Sequence, residues 1–436
     1  MASSSSSAPS QQGLELILAA SHGRPIAAYD ALTGEAVAEF SAANTPRHGL
    51  AVVVTGPGAA FVAASHVCPD TGAGSIRLVQ WCTPPAPARS LPVPEPVAAL
   101  VASPHGSHLL AGGASGRVHA VALPSGDVGF SFPAHGTGGV SCLALTEDGF
   151  LLVSGGEDGA VAVFPLFSVL DAHAAEKSAS TSDLAIYRIA AHAAPVSCLA
   201  CGHGGRSVGV VASASADGTC KVWSLADGGQ LGSVVLPCAA LSLALDPTGS
   251  DLYAGGSDGR VHLASLGSPG TDNVISSPDA GNDSNNNAAA LVAVAMANGC
   301  KSLVSCAEDG EVKVWDLTTG GLLLVSTFRI GGGAVSGALV VKRIVGGGGE
   351  TSRAGGEGFI GQDAAAWTRA SEMLEMEQML RESEQDRLRS VELLEMNVRN
   401  YKRCLSLLLR EVQMAETARA RRRNRNRNAD QDAGRQ

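Results

Sequence analysis

Apolar and polar positions alternate with period two along most of the chain, in short runs broken by Gly, Asp, Ser and Pro. This is the pattern of half-buried β-strands joined by tight turns. One nine-residue phrase recurs: GASGRVHAV (113–121), GEDGAVAVF (156–164), SADGTCKVW (215–223), GSDGRVHLA (256–264) and AEDGEVKVW (307–315). Each phrase carries a tight turn between two alternating runs, which predicts strand, turn, strand. Their central glycines, Gly116, Gly159, Gly218, Gly259 and Gly310, lie 43, 59, 41 and 51 residues apart, a period near 42 with two insertions. The insertions are visible around 171–183 and as the Pro-, Gly-, Asn- and Ser-containing stretch 268–287, which reads as a surface loop. A further strand opens most units: VSCLA occurs at both 140–144 and 196–200, and LSLAL at 241–245 follows suit. Four short strands per period describe a propeller blade.

With the insertions removed, residues 14–345 amount to about seven units of 43. The predicted fold is therefore all-β, a seven-bladed propeller. Its first unit begins at LELIL (14–18) without an opening strand, whereas AVSGALVV (334–341) resembles the opening strand of the other units. The late strand is expected to complete the first blade and remove the exposed edges of an open ring. Residues 1–13 read as a disordered Ser-rich start, and they have neither the basic nor the apolar region of a secretory signal. Residues 346–361 read as a flexible Gly-rich linker.

Beyond the linker the pattern changes to a helical one. No proline occurs from Gln362 onward, and Val391, Leu394, Val398, Tyr401, Leu405, Leu408 and Val412 are spaced alternately 3 and 4 apart, a heptad seam. This predicts a long amphipathic helix over 362–418. Burying seven such side chains at ~1.5–3 kcal/mol each is too large a gain to leave facing water. A partner subunit's helix or a second copy of the chain would cover the seam; the plainer alternative is a helix folded back on its own propeller. After it, residues 419–436 carry Arg419, Arg421, Arg422, Arg423, Arg425 and Arg427, with no acid until Asp430. The run suits nuclear import or phosphate contact, or is simply a solvated basic end.

At this point the residues resemble the WD-repeat family. In that family a His, a Ser or Thr, an Asp and a Trp are hydrogen-bonded within one blade, and His192, Ser213, Asp217 and Trp223 stand at matching positions. His135, Ser154 and Asp158 form a partial set with Phe164 in place of Trp, and Ser305, Asp309 and Trp315 form another without an evident His. The stretches 139–170 and 191–223 further resemble the WD-repeat subunit of the rixosome, a nuclear complex that helps to mature the large ribosomal subunit. That resemblance implies a non-catalytic nuclear scaffold. It would hold protein subunits of a rixosome-like complex on pre-60S particles, where spacer RNA is removed. A generic WD-repeat adaptor, such as a substrate receptor of a ubiquitin ligase, is the rival reading, and direct RNA binding by the propeller is a second.

Composition and charge narrow the partners. Forty-five per cent of residues are hydrophobic and the mean hydropathy is +0.14, so the chain forms a core, yet it has no run of 18 apolar residues that would cross a membrane. The net charge is −10, but residues 362–436 hold 15 Lys and Arg against 13 Asp and Glu, leaving 16 against 28 before them. The acidic body repels phosphate backbones, so RNA contact is expected at most through the basic tail. Ten cysteines form no dense framework and read as free thiols.

The sequence carries few patterns of catalytic or metal-binding chemistry. Gly255-Gly256-Ser257-Asp258-Gly259 matches the G-x-S-x-G string of serine hydrolases, but sits in a repeat hairpin rather than a strand-to-helix elbow. Cys198, Cys201 and His203 look like half a zinc site, yet Cys198 is the repeat equivalent of Cys142 in an opening strand. No catalytic residue, cofactor or metal is expected. His135 and His192, which occupy one repeat position, read as blade-locking residues.

Overall fold

The computed structural model describes residues 15–342 except 41–44, 57–58, 69–70, 82–87, 124, 147, 171–183, 203–208, 247–248, 267–273, 278–288, 319–320 and 331–332. Within them the chain forms seven four-stranded antiparallel sheets arranged as a propeller. The first blade contains β1 (Glu15–Ser21), β2 (Ile26–Asp30) and β3 (Ala36–Phe40). Blade 2 runs from β4 (Leu50–Gly56) through β5 (Ala59–Val67) and β6 (Gly74–Gln80) to β7 (Arg89–Pro92), and blade 3 from β8 (Val97–Ala102) through β9 (His108–Gly113) and β10 (Arg117–Ala122) to β11 (Val128–Pro133). Blade 4 holds β12 (Val140–Leu145), β13 (Leu151–Gly156), β14 (Ala160–Pro165) and β15 (Tyr187–Ala190), with a five-residue helix, α1 (Leu166–Leu170), before its last strand. Blade 5 holds β16 (Val196–Gly202), β17 (Val210–Ser215), β18 (Thr219–Ser224) and β19 (Gln230–Val235); blade 6 holds β20 (Ala240–Leu245), β21 (Asp251–Gly256), β22 (Val261–Ser265) and β23 (Val274–Ser276). Blade 7 holds β24 (Leu291–Ala297), β25 (Ser302–Ala307), β26 (Glu311–Asp316) and β27 (Leu323–Arg329).

The last strand, β28 (Val335–Lys342), is the inner strand of the first blade. It pairs antiparallel with β1 from Glu15↔Lys342 to Ser21↔Val335, the closure that the apolar pattern at 334–341 predicts. The five hairpins of the recurring phrase differ in sequence, but Gly116, Gly159, Gly218, Gly259 and Gly310 all adopt φ between 74 and 85°. Only a residue without Cβ takes that conformation cheaply, which is why the phrase keeps its glycine.

Burial follows position within a blade. Every residue of β17 is buried, whereas no residue of the outer strand β27 is, its positions being exposed or half-buried. The apolar side chains gather into clusters that lie between neighbouring blades. Between blades 4 and 5, Cys142, Val153 and Val163 meet Val196, Val211 and Trp223. Between blades 7 and 1, Val304, Cys306, Val312 and Val314 meet Ile17, Ala19 and Val335. One such cluster fills each of the seven interfaces, so each blade is stabilised chiefly by its neighbours. No helix among the described residues is long and apolar enough to cross a membrane.

The expected N-terminal segment 1–13, linker 346–361, helix 362–418 and basic tail 419–436 lie outside the described residues.

Two outcomes test this account. Leu18→Ala, in the fully buried centre of β1, should cost about 2–5 kcal/mol in denaturant unfolding. Replacing Val335 with Asp should lower the thermal midpoint and broaden the transition, because it places a charge in the interface that closes the ring; an unchanged, sharp melt would contradict that role.

Candidate functional site

The most ordered polar chemistry is in blade 5. Trp223 Nε1 donates to Ser213 Oγ at 3.0 Å, and Ser213 Oγ lies 2.7 Å from His192 Nε2. On the other side of the ring His192 Nδ1 lies 2.8 Å from Thr219 Oγ1, which donates to Asp217 Oδ1 at 2.6 Å. The partners define one direction for the whole chain: indole N–H to serine, serine O–H to imidazole, imidazole N–H to threonine, threonine O–H to carboxylate. Every donor is used once. Asp217 also accepts from the backbone N–H of Ala193 and Thr219, which ties the incoming loop to the hairpin turn.

The link between Asp217 and His192 is therefore relayed in blade 5, where His192 Nδ1 and Asp217 Oδ2 are 3.6 Å apart. The cause is one residue. Thr219 follows the repeat glycine and inserts its hydroxyl, whereas blade 4 has Ala160 there and His135 Nδ1 donates straight to Asp158 Oδ1 at 3.0 Å. His135 Nε2 then meets Ser154 Oγ at 3.0 Å, and the chain ends because Phe164 has no N–H. In blade 7 Trp315 Nε1 donates to Ser305 Oγ at 2.9 Å, while Asp309 turns outward to Arg329 at 3.1 Å.

Two further locks escaped the sequence reading. His119 and His262 occupy equivalent positions on the third strands of blades 3 and 6, not in the loop that carries His135 and His192. His119 Nε2 lies 2.8 Å from Glu95 Oε1 and its Nδ1 2.6 Å from Ser131 Oγ. Burial alone would raise the Glu95 pKa, but hydrogen bonds from Ser115 and His119 outweigh it and hold the carboxyl below its ordinary value. His262 Nε2 lies 3.2 Å from both Asp258 oxygens. The signal was the shared phrase GRVH at 116–119 and 259–262, which places a histidine where the other repeats have an apolar or basic residue.

A second set of contacts spans the centre of the ring. The inner strands of six blades carry an extra, bulged residue near their start: Ala98, Ser141, Ser197, Leu241, Val292 and Ser336. The serines link blades, since Ser141 Oγ donates to the Val196 carbonyl and Ser197 Oγ to the Ala240 carbonyl, both at 2.5 Å. In blade 2 the chain just before β4 takes this place, and Ser65 N–H bonds the Gly49 carbonyl. Arg47 and His48 precede that glycine and reach across the ring. His48 Nε2 donates to the Ser197 carbonyl at 2.7 Å, and Arg47 Nη1 approaches the Leu241 carbonyl at 3.4 Å. Beside them a cavity of about 410 Å³ is lined by His22, Thr45, Arg47, Glu308 and Ser336, among others.

Desolvation governs the titratable groups. Burial depresses His135 and His192, and it brings His48, which also faces Arg47, down to about 4. It pushes the Cys198 thiol up to about 11 and those of Cys201, Cys220 and Cys306 up to about 12. These are protonated, inert side chains. Cys198 is buried in the core between blades 5 and 6, and His203 lies outside the described residues. Ser257 of the G-x-S-x-G string is in the β21–β22 hairpin turn.

The outer surface is partly apolar. Val37, Leu231, Val235, Ile275, Leu323 and Val325 are exposed on the last strands of blades 1, 5, 6 and 7, which are consecutive around the ring. The helical seam Val391, Leu394, Val398, Tyr401, Leu405, Leu408 and Val412 and the arginines at 419–427 lie outside the described residues.

The model of the family "WD domain, G-beta repeat" matches residues 126–164, 184–224 and 285–316. Protein ROOT INITIATION DEFECTIVE 3 of Arabidopsis thaliana is 31% identical over 306 residues, covering 70% of this chain and 66% of that protein. WD repeat-containing protein 18 of Homo sapiens is 31% identical over 227 residues, 51% of each chain. Pre-rRNA-processing protein crb3/ipi3 of Schizosaccharomyces pombe is 26% identical over 175 residues, 40% of this chain and 39% of that one. The chain thus spans about two thirds of the first relative's length, about half of the second's and less than half of the third's.

Ser213→Ala leaves the buried Trp223 N–H and His192 nitrogen unpaired and should cost about 1–3 kcal/mol, measured by chemical denaturation. The depressed histidines bind protons more readily when unfolded. Their stabilisation is therefore full above the ordinary pKa of 6.5 and is lost as pH falls below it, for His48 down to about 4. The thermal midpoint should drop between pH 7 and pH 5, and His48→Asn should flatten that drop.

Proposed function

The chain belongs to the WD-repeat family, and from that premise we propose that it is a non-catalytic scaffold subunit of a nuclear, rixosome-like complex that matures pre-60S ribosomal particles. The observation that carries this reading is the similarity to Protein ROOT INITIATION DEFECTIVE 3 over 70% of the chain, together with similarity over 40% of it to a protein named for pre-rRNA processing. The chemistry of the propeller agrees with holding rather than turnover. The histidines with the best hydrogen-bonding geometry, His135 and His192, have both ring nitrogens committed to locks. A general base needs a free nitrogen within reach of a substrate proton.

The partners are proteins. The propeller body carries an excess of acidic residues, which favours basic assembly factors or ribosomal proteins and disfavours direct contact with RNA. Apolar side chains exposed on the outer strands of blades 5, 6, 7 and 1 supply desolvated contact area on that body. The heptad seam from Val391 to Val412 then joins another subunit or a second copy through a helical interface, after the Gly-rich linker at 346–361, and the arginines at 419–427 act in import or touch RNA.

Affinity purification of the full chain should recover large-subunit assembly factors. Recovery of cullin-adaptor proteins instead would favour a ubiquitin-ligase receptor and reject the proposal. Deleting 391–412 should release the chain from its complex, or halve its mass on size exclusion if the seam pairs two copies. Leu323→Glu with Val325→Glu should reduce recovery of protein partners while leaving the thermal midpoint within a few degrees, because both side chains are exposed.

A further inference from the structure

We propose that Cys238, Asp258 and His262 of blade 6 form a three-ligand binding site for a zinc-class divalent cation, with a fourth position open to solvent. Cys238 lies in the connection between β19 and β20, Asp258 in the β21–β22 hairpin turn, and His262 on β22. Their ligand atoms all fall within 4.8 Å of one another. His262 Nε2 is 3.5 Å from Cys238 Sγ and 3.2 Å from each Asp258 oxygen. Zinc bonds of 2.0–2.3 Å to nitrogen, oxygen and sulfur, set at tetrahedral angles, give ligand-to-ligand edges of roughly 3.2–3.6 Å. Both histidine edges match.

Comparison within the molecule separates this cluster from an ordinary lock. His135 presents one nitrogen to a carboxylate and the other to a serine, and His119 does the same. His262 keeps both contacts, with Ser276 Oγ 2.9 Å from Nδ1, and gains a thiol on the nitrogen that already faces Asp258. A single N–H serves one acceptor well, whereas a cation at that point satisfies thiolate, carboxylate and imidazole together. With Ser276 accepting from Nδ1–H, the lone pair of Nε2 is turned towards the other two ligands, the outer-shell arrangement that usually orients a metal-bound histidine.

The backbone leaves room for the three groups to converge. Asp258 Oδ1, Cys238 Sγ and His262 Nε2 all press on the open face of Gly256, where a Cβ would collide with each. His262 is buried, Cys238 is half-buried, and the Asp258 side chain retains 31% of its exposure, so an ion can enter from the hairpin side. The mixed sulfur, nitrogen and oxygen set suits a borderline-soft ion better than magnesium or calcium. Burial pushes the Cys238 thiol above its ordinary value, so binding must expel the thiol proton to solvent as the sulfur–metal bond forms.

Cobalt(II) added to the reduced full chain is the direct probe. One equivalent should produce a thiolate-to-cobalt charge-transfer band with tetrahedral d–d absorption, and zinc should bleach both by displacement. Cys238→Ser should abolish the charge-transfer band while keeping the metal-free thermal midpoint, and His262→Gln should weaken binding by about tenfold or more. A chain that gives no such band, or one whose band survives Cys238→Ser, overturns the proposal. Should His262→Gln fail to fold, the serine variant alone decides.

Discussion

Ring closure is the constraint on which the rest depends. A blade of this propeller has two apolar faces, and neither is satisfied within its own sheet. The seven clusters lie between blades, so each depends on the blade before and the blade after it. A linear stack of such units would end in two exposed faces. Here the circle is closed by β28 against β1, which brings a strand from one end of the described chain into the sheet begun at the other. Val335 contributes twice, since it pairs opposite Ser21 and packs in the cluster that joins blade 7 to blade 1. The covalent order of the chain thus seals the ring, and without that exchange the first blade would present an unpaired inner edge.

Around this apolar ring the polar residues perform a secondary task in several ways. A loop enters each blade near the hairpin of the previous one. In blade 5 the His192 backbone N–H bonds the Gly159 carbonyl of blade 4, while its side chain reaches Ser213 and Thr219. The histidine loop therefore fastens two blades at once. Where the loop has no histidine, another solution appears. In blade 3 His119 meets Glu95 of the incoming loop, and in blade 6 His262 meets Asp258 of its own hairpin and Cys238 of the incoming loop. A buried imidazole needs partners for two nitrogens, and several arrangements of the same few residue types meet that requirement. The centre of the ring has its own fastening, in which Arg47 and His48 of one blade reach backbone carbonyls on the far side.

These internal commitments explain why the propeller reads as a platform. His135 and His192 have both ring nitrogens committed to partners within the fold, and the buried thiols are too weakly acidic to act as nucleophiles. What is open to other molecules includes a body rich in acidic residues, a cavity beside Arg47 and Glu308, and apolar side chains on a run of outer strands. Exposed apolar side chains of this kind suit contact with other proteins, as proposed above.

The sequence alone determined the repeat, and with it the blade. The Asp-Gly turns, the alternation around them and the period near 42 are local properties, imposed by backbone sterics and by one buried face per strand. It also held the closure, because 334–341 copies the opening strand of other units. Trp223, Ser213 and His192 were legible as a set since their spacing repeats. Tertiary structure decided what no local pattern encodes. Whether Asp217 touches His192 directly depends on a threonine hydroxyl at 219, and Ala160 gives the opposite result in blade 4. Glu95 meets His119 across 24 residues, and His48 meets Ser197 across 149. Those pairings arise because the ring folds distant segments onto one centre, and a side chain's partner there is set by geometry that the order of residues does not express.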